Sequence, residues 1–301
     1  MTLSSLSQTK VADPDLFLDW TVSLLNSGTA ISNSSISVYA SMWGKYYKYT
    51  QDIDIPASAP SLPQLSAFIS QLADGIQLRY VQLLYRIFQT QVTLQNIPTN
   101  PITPLQSQFK FKSRKRKLPV ALSKSVQAAL ISKLPLSSKT KDIRDVAIVS
   151  LILGSGLRVA ELCSLTVLDV HLDEPFHIFV SDSLNGDRLA PIAPVALNPL
   201  KAWVSFRKSQ TNFPSEYLFQ GRNGEKLAAA TIYRRVSKYL TALDFPLRHS
   251  GPMVLRHTFA TKQVAEGRPL VVLQQWLGHH QAKSTAVYKN LVVNPNGWTA
   301  A

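Results

Sequence analysis

Hydrophobic residues recur at helical spacing through most of residues 15–98. Apolar side chains three or four positions apart lie on one face of a helix, so each such run predicts an amphipathic helix. Four runs follow one another, with a proline-bounded break at Pro56–Pro63. Their apolar residues are Leu16, Phe17, Trp20, Leu24 and Leu25; Val38, Tyr39, Met42, Trp43, Tyr46 and Tyr47; Leu65, Phe68, Ile69 and Leu72; and Val81, Leu83, Leu84, Ile87 and Phe88. Four helices of this length predict a small all-α bundle.

Residues 124–301 alternate helical and strand patterns. Helical spacing is found at 124–133, 140–154, from Arg158 through Leu165, and again from about 229. The residues Phe176–Val180 predict a strand, Asn185-Gly186 predicts a two-residue hairpin turn, and Arg188–Ile192 predicts the returning strand. The expected fold is therefore mainly α with a small β-hairpin or sheet, and the second unit is of the α+β class.

A basic segment separates the two units. Pro98, Pro101 and Pro104 exclude a long helix, and six of the nine residues that end at Lys117 are cationic: Lys110, Lys112, Arg114, Lys115, Arg116 and Lys117. We expect a helical domain at 1–105, a basic linker at 106–123 and a second domain at 124–301. A block of like charges is usually a solvated spacer, but an extended basic strap can also lie along a DNA backbone.

The net charge supports a polyanionic partner. The chain of 301 residues carries 32 Lys and Arg against 18 Asp and Glu, a formal charge of +14. Release of counterions from phosphates favours nucleic-acid binding by such a protein, although a basic but otherwise ordinary enzyme stays possible. The single cysteine, Cys163, excludes an internal disulfide and is expected to be a small core residue. Without an apolar N-terminal leader or a long apolar run, the sequence predicts a cytoplasmic protein.

Four short motifs carry candidate chemistry. They are Gly154–Leu162 with Arg158 and Glu161, Leu255–Thr261 with Arg256, Trp276–His279, and Thr285–Tyr288. Arg158 follows a glycine-rich turn at the start of a predicted helix, and Glu161 is three residues later, where it can hold the guanidinium. A helix N-terminus and a guanidinium both favour an anion. Taken singly, each motif is also compatible with ordinary packing or surface charge.

The order and spacing of the four motifs resemble those of the tyrosine recombinases of the phage-integrase type. Arg256 and His279 are 23 positions apart, and His279 and Tyr288 are nine apart. The resemblance covers the second unit, and the first unit is similar in kind to the family's helical core-binding domain. It implies DNA strand exchange through a 3′-phosphotyrosine, with Tyr288 as nucleophile and Arg158, Arg256 and His279 binding the phosphate. Glu161 and Arg188 would support them.

The resemblance also implies the partners. We expect double-stranded DNA as substrate, a Holliday-junction route on four protomers, neither metal nor other cofactor, and a C-terminal segment from Leu291 that docks on a neighbouring protomer. Taken alone, Tyr288 could be a core tyrosine and His279 a helix cap, whereas a buried Arg256 would need a counter-anion. We expect His257 to face another way from Arg256 with a structural role, and His280 to be exposed.

Two positions depart from the family pattern. Met253 occupies the place, three residues before Arg256, where the family usually has histidine, and Ser183 falls where the family has the lysine that protonates the leaving oxygen. His249 is offset by four residues, and Arg188, the cation near the hairpin, is a poor proton donor. Slower cleavage is one interpretation. An integrase-like DNA-binding protein that has lost cleavage is another, and an unrelated basic helical regulator is a third.

Overall fold

The computed structural model describes residues 14–29, 31–110, 118–136, 139–182, 186–209, 215–243, 245 and 251–293. The chain divides into two compact units, Met1–Lys115 and Arg116–Ala301. Each unit has its own hydrophobic core.

The first unit is helical. Its helices are α1 (Pro14–Asn26), α2 (Asn33–Asp52), α3 (Leu62–Ser70), α4 (Asp74–Thr93) and α5 (Thr103–Lys110). The first four match the predicted bundle, and α1 packs along α4. Aromatic rings fill the core, where Tyr46 lies edge-on to Phe68 and Phe88. The Tyr46 hydroxyl, which burial removes from water, donates to the Ala57 carbonyl oxygen at 3.0 Å.

Helix α5 was not predicted. Pro104 occupies its first turn, where a proline costs no hydrogen bond because the first N–H groups of a helix have no intrahelical acceptor. Lys110 therefore lies at the end of a helix, and the expectation of an extended strap is wrong at this residue. The remaining cationic residues of the basic segment, Lys112, Arg114, Lys115, Arg116 and Lys117, lie outside the described residues.

The second unit combines helices with one small sheet. Its helices are α6 (Lys124–Ser132), α7 (Thr140–Ser155), α8 (Val159–Ser164), α9 (Pro194–Ser209), α10 (Ala229–Thr241), α11 (Pro252–Ala265), α12 (Leu270–Leu277) and α13 (Ala282–Val293). The strands β1 (Val170–His171), β2 (His177–Val180) and β3 (Arg188–Pro191) form an antiparallel sheet in that order. Helix α7 lies at the centre, packed on α9 and α11. Cys163 is a buried core residue, as expected.

The connection between β2 and β3 is longer than predicted. The last residue pair of the ladder is Val180 with Arg188, so the turn spans 181–187 rather than two residues. The Gly186 N–H donates to the Asp182 carbonyl oxygen at 2.8 Å, inside this longer turn. Residues 183–185 of the turn lie outside the described residues. The register places Arg188 at the first position of β3, from which its side chain reaches the candidate site.

A separate apolar cluster joins the last three helices. It consists of Phe259 and Ala260 on α11, Leu273 and Leu277 on α12, and Tyr288 and Leu291 on α13. Leu291 is only 3% exposed. The expectation that the chain from Leu291 onward docks on a neighbouring protomer is therefore wrong for Leu291, which is used in the core of its own unit. Residues 294–301 lie outside the described residues.

Gly156 ends α7 in the left-handed conformation, with φ of +66°. A Cβ atom there would meet Phe259 Cδ1 at 2.5 Å and Leu277 Cδ2 at 2.9 Å, so a side chain would overpack the apolar cluster as well as strain the backbone. Gly267 has a similar φ of +81° but nothing within 4 Å of its missing Cβ.

We expect Gly156→Ala to lower the free energy of unfolding by about 2–5 kcal/mol, because it adds overpacking of about 1–3 kcal/mol to the backbone cost. Gly267→Ala, the matched control, should lose only the backbone cost of about 1–2 kcal/mol. Urea unfolding of both variants measures the difference, and equal losses would contradict the packing argument.

Candidate active site

Arg158 begins α8. It is the N-cap residue, in extended conformation, directly after the turn that ends α7. Its backbone N–H donates to Glu161 Oε2 at 2.6 Å, and its Nη1 donates to Glu161 Oε1 at 2.6 Å. Glu161 thus satisfies an otherwise unpaired N–H of the helix start and also fixes the guanidinium. The predicted contact between Arg158 and Glu161 is present. About a third of the Arg158 side chain (35%) stays accessible.

Two further arginines lie close to the Glu161 carboxylate. Arg188 Nη2 donates to Glu161 Oε2 at 2.8 Å, and Arg256 Nη1 lies 4.0 Å from the same oxygen. Burial alone would raise the pKa of Glu161. The hydrogen bond and charge of Arg188, together with those of Arg158, outweigh burial and lower that pKa, so the carboxylate stays ionised. One buried anion therefore holds three guanidiniums from α8, β3 and α11 in one place.

Arg256 is 2% exposed on α11. Its Nη1 donates to the Gly156 carbonyl oxygen at 2.7 Å, and its Nη2 donates to the Leu277 carbonyl oxygen at 2.7 Å. Burial lowers its pKa to about 10, with Arg158 adding to the effect, which still leaves the group charged at neutral pH. Main-chain oxygens at the ends of α7 and α12 thus fix a buried cation whose expected counter-anion, Glu161, is near but not in direct contact.

His279 follows α12 and contacts Arg256. The His279 Nε2 lies 3.2 Å from Arg256 Nη2, and its Nδ1 lies 2.8 Å from Thr285 Oγ1. A guanidinium can only donate, so Nε2 is the acceptor and the ring proton resides on Nδ1, facing Thr285. Burial and the Arg256 charge lower the pKa of His279 to about 4. The ring is neutral at physiological pH.

Tyr288 lies on α13 and is 2% exposed. Its ring is parallel to the His279 ring, with centroids 6.3 Å apart, and its hydroxyl lies 2.9 Å from His257 Nδ1. Burial raises the pKa of Tyr288, although the charges of Arg256 and Arg158 oppose the effect. The nucleophile candidate is therefore held in its own unit between two imidazoles.

His257 faces another way from Arg256, as expected, but it contacts Tyr288 and so belongs to the candidate site. Residues 256 and 257 are adjacent on α11 and point in directions about 100° apart, but α13 packs against α11 and brings Tyr288 within hydrogen-bond distance of His257. Burial and the Arg256 charge lower the pKa of His257 to about 4, so this ring is neutral too. His280 is exposed, as expected.

Gly278 lets the backbone approach the cations. Its φ is +61°, and its missing Cβ would lie 3.1 Å from Arg188 Cζ and 3.2 Å from Arg158 Nη1. Arg158 Nη2 donates to the Gly278 carbonyl oxygen at 2.6 Å, and Arg188 Nε donates to the Trp276 carbonyl oxygen at 3.0 Å. With Glu161 and Trp276 as acceptors, Arg188 fastens β3 to the end of α12.

Several contributors were missed from the sequence. They are His257, Thr285 and the carbonyl groups of Gly156, Trp276, Leu277 and Gly278. Thr285 belongs to the Thr-x-x-Tyr motif, and its spacing of three from Tyr288 was the available signal. Carbonyl groups leave no sequence signal. Met253 is 44% exposed at the start of α11, whereas Ser183 and His249 lie outside the described residues.

Within the described residues, no group of three or more His, Cys, Asp or Glu side chains is arranged to hold a metal ion. Within the same ranges, no helix is both long and apolar enough to cross a membrane.

Comparison with known protein families shows to which family the chain belongs. The model of the phage integrase family matches residues 122–294, which is more than half of the chain and contains every candidate site residue outside the basic segment. The chain belongs to the phage integrase family. The predicted resemblance to tyrosine recombinases and the predicted fold class, mainly α with a small sheet, are confirmed.

The chain is similar to curated Xer recombinases. It is 32% identical over 196 residues to tyrosine recombinase XerA of Pyrococcus horikoshii, covering 62% of this chain and 66% of the relative. It is 33% identical over 149 residues to tyrosine recombinase XerC of Neisseria meningitidis, covering 50% of this chain and 48% of the relative. The chain thus matches about half to two thirds of the length of these relatives.

Solved structures share the fold. XerH recombinase bound to a palindromic difH substrate superposes with a TM-score of 0.68 at 20% identity, over 87% of this chain and 78% of that chain. The Tn1549 transposon integrase in complex with circular intermediate DNA has a TM-score of 0.66 at 18% identity, over 91% and 94% of the two chains.

We expect Glu161→Gln to destabilise the protein by about 3–5 kcal/mol, because it removes the charge that compensates buried guanidiniums. Adding sulfate should recover part of the loss, since an anion can replace the missing charge. Urea unfolding with and without sulfate measures both effects. Glu266→Gln is the control: Glu266 pairs with Lys262 at 3.8 Å on the surface, and its loss should cost below about 1 kcal/mol. Equal losses in the two variants would contradict the role of Glu161.

The protein should lose stability as the pH falls from about 6.5 to 4. The pKa of both His257 and His279 is about 4 in the folded protein against about 6.5 when unfolded. The unfolded chain therefore binds more protons in this window, and stability is present above pH 6.5 and lost as the pH falls.

The double variant His257→Gln, His279→Gln should flatten this pH dependence of the unfolding free energy, measured by urea titration at pH 7, 6, 5 and 4. His280→Gln, at an exposed position, is the matched control and should leave the slope unchanged. A double variant with the wild-type slope would show that these two rings do not carry the effect.

Proposed function

We propose that this chain is a site-specific DNA recombinase that cuts and rejoins DNA through a 3′-phosphotyrosine intermediate formed by Tyr288. The observation that carries the proposal is the convergence of a tyrosine hydroxyl with preorganised guanidiniums in one site. Arg158 is held by the Glu161 carboxylate, which lies 4.0 Å from Arg256, and Tyr288 stacks against the histidine that contacts Arg256. Membership of the phage integrase family supports the same activity.

The two arginines are suited to bind the phosphate that is cut. A guanidinium has five N–H donors. Arg256 donates to two carbonyl oxygens and His279, and the Arg158 side chain donates to Glu161 and Gly278. Donors therefore remain on both groups for the non-bridging oxygens of a phosphodiester. Because the site holds these cations before DNA arrives, they can stabilise the negative charge of a pentacoordinate transition state without reorganisation.

Tyr288 supplies the nucleophile in this proposal. Its oxygen forms a bond to phosphorus while the bond to the 5′-oxygen breaks, which leaves a 3′-phosphotyrosine and a free 5′-hydroxyl. The phosphotyrosine keeps the energy of the phosphodiester, so a 5′-hydroxyl of a partner strand can reverse the step without ATP. For His279 to donate a hydrogen bond to the same phosphate, its ring proton must move from Nδ1 to Nε2 when DNA binds, because Nε2 accepts from Arg256 in the free protein.

DNA binding is the second part of the proposal. We propose that the basic segment at 110–117 and the helical unit before it bind the DNA duplex. In this proposal the first unit is a core-binding domain, and residues 106–123 are a linker. The second unit adds a basic groove lined by Lys141, Arg144, Arg222, Lys226 and Arg235. Such a groove can neutralise backbone phosphates and release their counterions.

The assembly on DNA is also proposed. Strand exchange joins two duplexes and needs four cleavages, so we propose four protomers in a synaptic complex and a Holliday-junction route. A lambda integrase of the same fold is known as a dimer bound to a core site. We place the reaction in the cytoplasm, because its substrate is DNA and the single cysteine suits a reducing compartment.

A DNA-binding protein without cleavage activity is the competing function. It is motivated by Met253 and Ser183, which stand at the family's histidine and lysine positions. The intact arrangement of Arg158, Arg256, His279 and Tyr288 favours the recombinase.

Covalent capture separates these two functions. The full chain is incubated with a pool of nicked genomic DNA fragments and then denatured, and the DNA that stays attached is sequenced. We expect wild type to retain DNA and Tyr288→Phe to retain none, because a phenylalanine has no oxygen to form the phosphotyrosine, while filter binding shows unchanged affinity. Tyr239→Phe, at another buried tyrosine of the same unit, is the control and should retain DNA.

Tight DNA binding without attachment by the wild type would contradict cleavage and establish the DNA-binding alternative. Attachment by Tyr288→Phe would show that another residue is the nucleophile.

A further inference from the structure

The Tyr288 hydroxyl already has a partner inside the protein. His257 Nδ1 lies 2.9 Å from it, and the ring planes of His257 and Tyr288 are tilted at a centroid distance of 5.8 Å. Both side chains are largely shielded from water, so the hydroxyl depends on this contact rather than on bulk solvent. Met253 occupies the family's usual histidine position but is exposed, and a thioether cannot take up a phenolic proton.

The charges around the hydroxyl fix the direction of this hydrogen bond. The positive charges of Arg256 and Arg158 act on the Tyr288 hydroxyl, and cations attract its lone pairs and repel its proton. The proton therefore points to His257. The ring of His257 is neutral, because burial and the neighbouring Arg256 lower its pKa to about 4. A neutral ring with its proton on Nε2 presents the Nδ1 lone pair to the tyrosine.

The position of His257 is set by the same helix that positions the phosphate site. Arg256 and His257 are successive residues of α11, so one faces the carbonyl oxygens of Gly156 and Leu277 and the other faces α13. The main-chain oxygen of His257 also accepts from Thr261 Oγ1 at 2.8 Å, which anchors this turn of α11. The buried guanidinium and the imidazole beside the nucleophile therefore share one helix, α11, and α13 packs Tyr288 against it.

We propose that His257 is a catalytic residue, the proton acceptor for Tyr288, which takes the place of the histidine absent at Met253. The inference rests on the proposed recombinase function. As the Tyr288 oxygen bonds to phosphorus, its proton moves to His257 Nδ1, the bond between phosphorus and the 5′-oxygen breaks, and the 5′-oxygen takes a proton from water. In the rejoining step the 5′-hydroxyl attacks phosphorus, loses its proton to water, and His257 returns its proton to the departing phenolate.

A weak base is adequate for this step. A free phenol holds its proton far more tightly than a neutral imidazole accepts one, so the resting pair does not ionise. Once the bond to phosphorus forms, the oxygen becomes strongly acidic and the proton transfers in the transition state. General-base assistance of this kind contributes about 100- to 10,000-fold to a rate.

The test measures the rate of covalent attachment to nicked genomic fragments by the full-length protein. His257→Asn places an amide near the Nδ1 position, where it can still bond Tyr288 but cannot take its proton, and His257→Ala removes both functions. We expect both variants to attach DNA at least about 100-fold more slowly than wild type, with DNA affinity unchanged. Added imidazole should partly rescue His257→Ala. Met253→Ala is the control and should stay within about 3-fold.

Two outcomes would contradict the role of His257 and leave the proposed recombinase function standing. Attachment by His257→Asn near the wild-type rate would show that the contact only positions Tyr288. Nitrogen-15 NMR of the DNA-free protein reports the tautomer of His257 without any cleavage. We expect the Nε2–H tautomer in the wild type and a shift of the Nδ1 resonance in Tyr288→Phe. An Nδ1–H tautomer in the wild type would contradict proton acceptance by His257. Absence of attachment by the wild type is a different result, which overturns the recombinase function and this role with it.

Discussion

The candidate site depends on one buried carboxylate. Glu161 contacts Arg158 and Arg188 directly and lies 4.0 Å from Arg256, so a single negative charge offsets three positive ones that would otherwise repel one another. These arginines belong to α8, β3 and α11, elements that are distant in sequence. The ion cluster therefore fixes the geometry of the site and also joins the sheet to the helical core. The site keeps a net positive charge, which an anionic substrate would neutralise.

Helix ends supply the rest of the compensation. The carbonyl oxygens that accept from Arg256 belong to Gly156 and Leu277, at the C-termini of α7 and α12, where unpaired carbonyl groups carry partial negative charge. Both helices end in left-handed glycines, Gly156 and Gly278, which turn the chain away without a side chain in the crowded space. A buried guanidinium and two helix ends thus stabilise each other. This arrangement keeps Arg256 charged and rigid without direct contact with a carboxylate.

The sequence was sufficient for features that depend on local spacing. The helical runs, the contact between Arg158 and Glu161 and the order of Arg256, His279 and Tyr288 all follow from short-range patterns. It failed where tertiary contacts decide. The contact of His257 with Tyr288 depends on where α13 packs, and Leu291 is buried in the cluster formed with α11 and α12. The hairpin failed for a third reason. Asn185-Gly186 is a strong local turn signal, but the ladder ends at Val180 and Arg188, and the register overrides the dipeptide.

Different residues of the candidate site provide positive charge and accept a proton. Arg158 and Arg256 provide fixed positive charge. Burial, together with the charge of Arg256, lowers the pKa of both His257 and His279 to about 4 and so keeps the two rings neutral. A neutral imidazole can accept a proton and a guanidinium cannot, so the two residue types cannot exchange roles. Tyr288 lies where the two sets meet: its hydroxyl is 2.9 Å from His257 Nδ1, and its ring is parallel to that of His279, which contacts Arg256. Burial of the site and the nearby guanidinium of Arg256 therefore act together to keep a neutral base available beside the nucleophile.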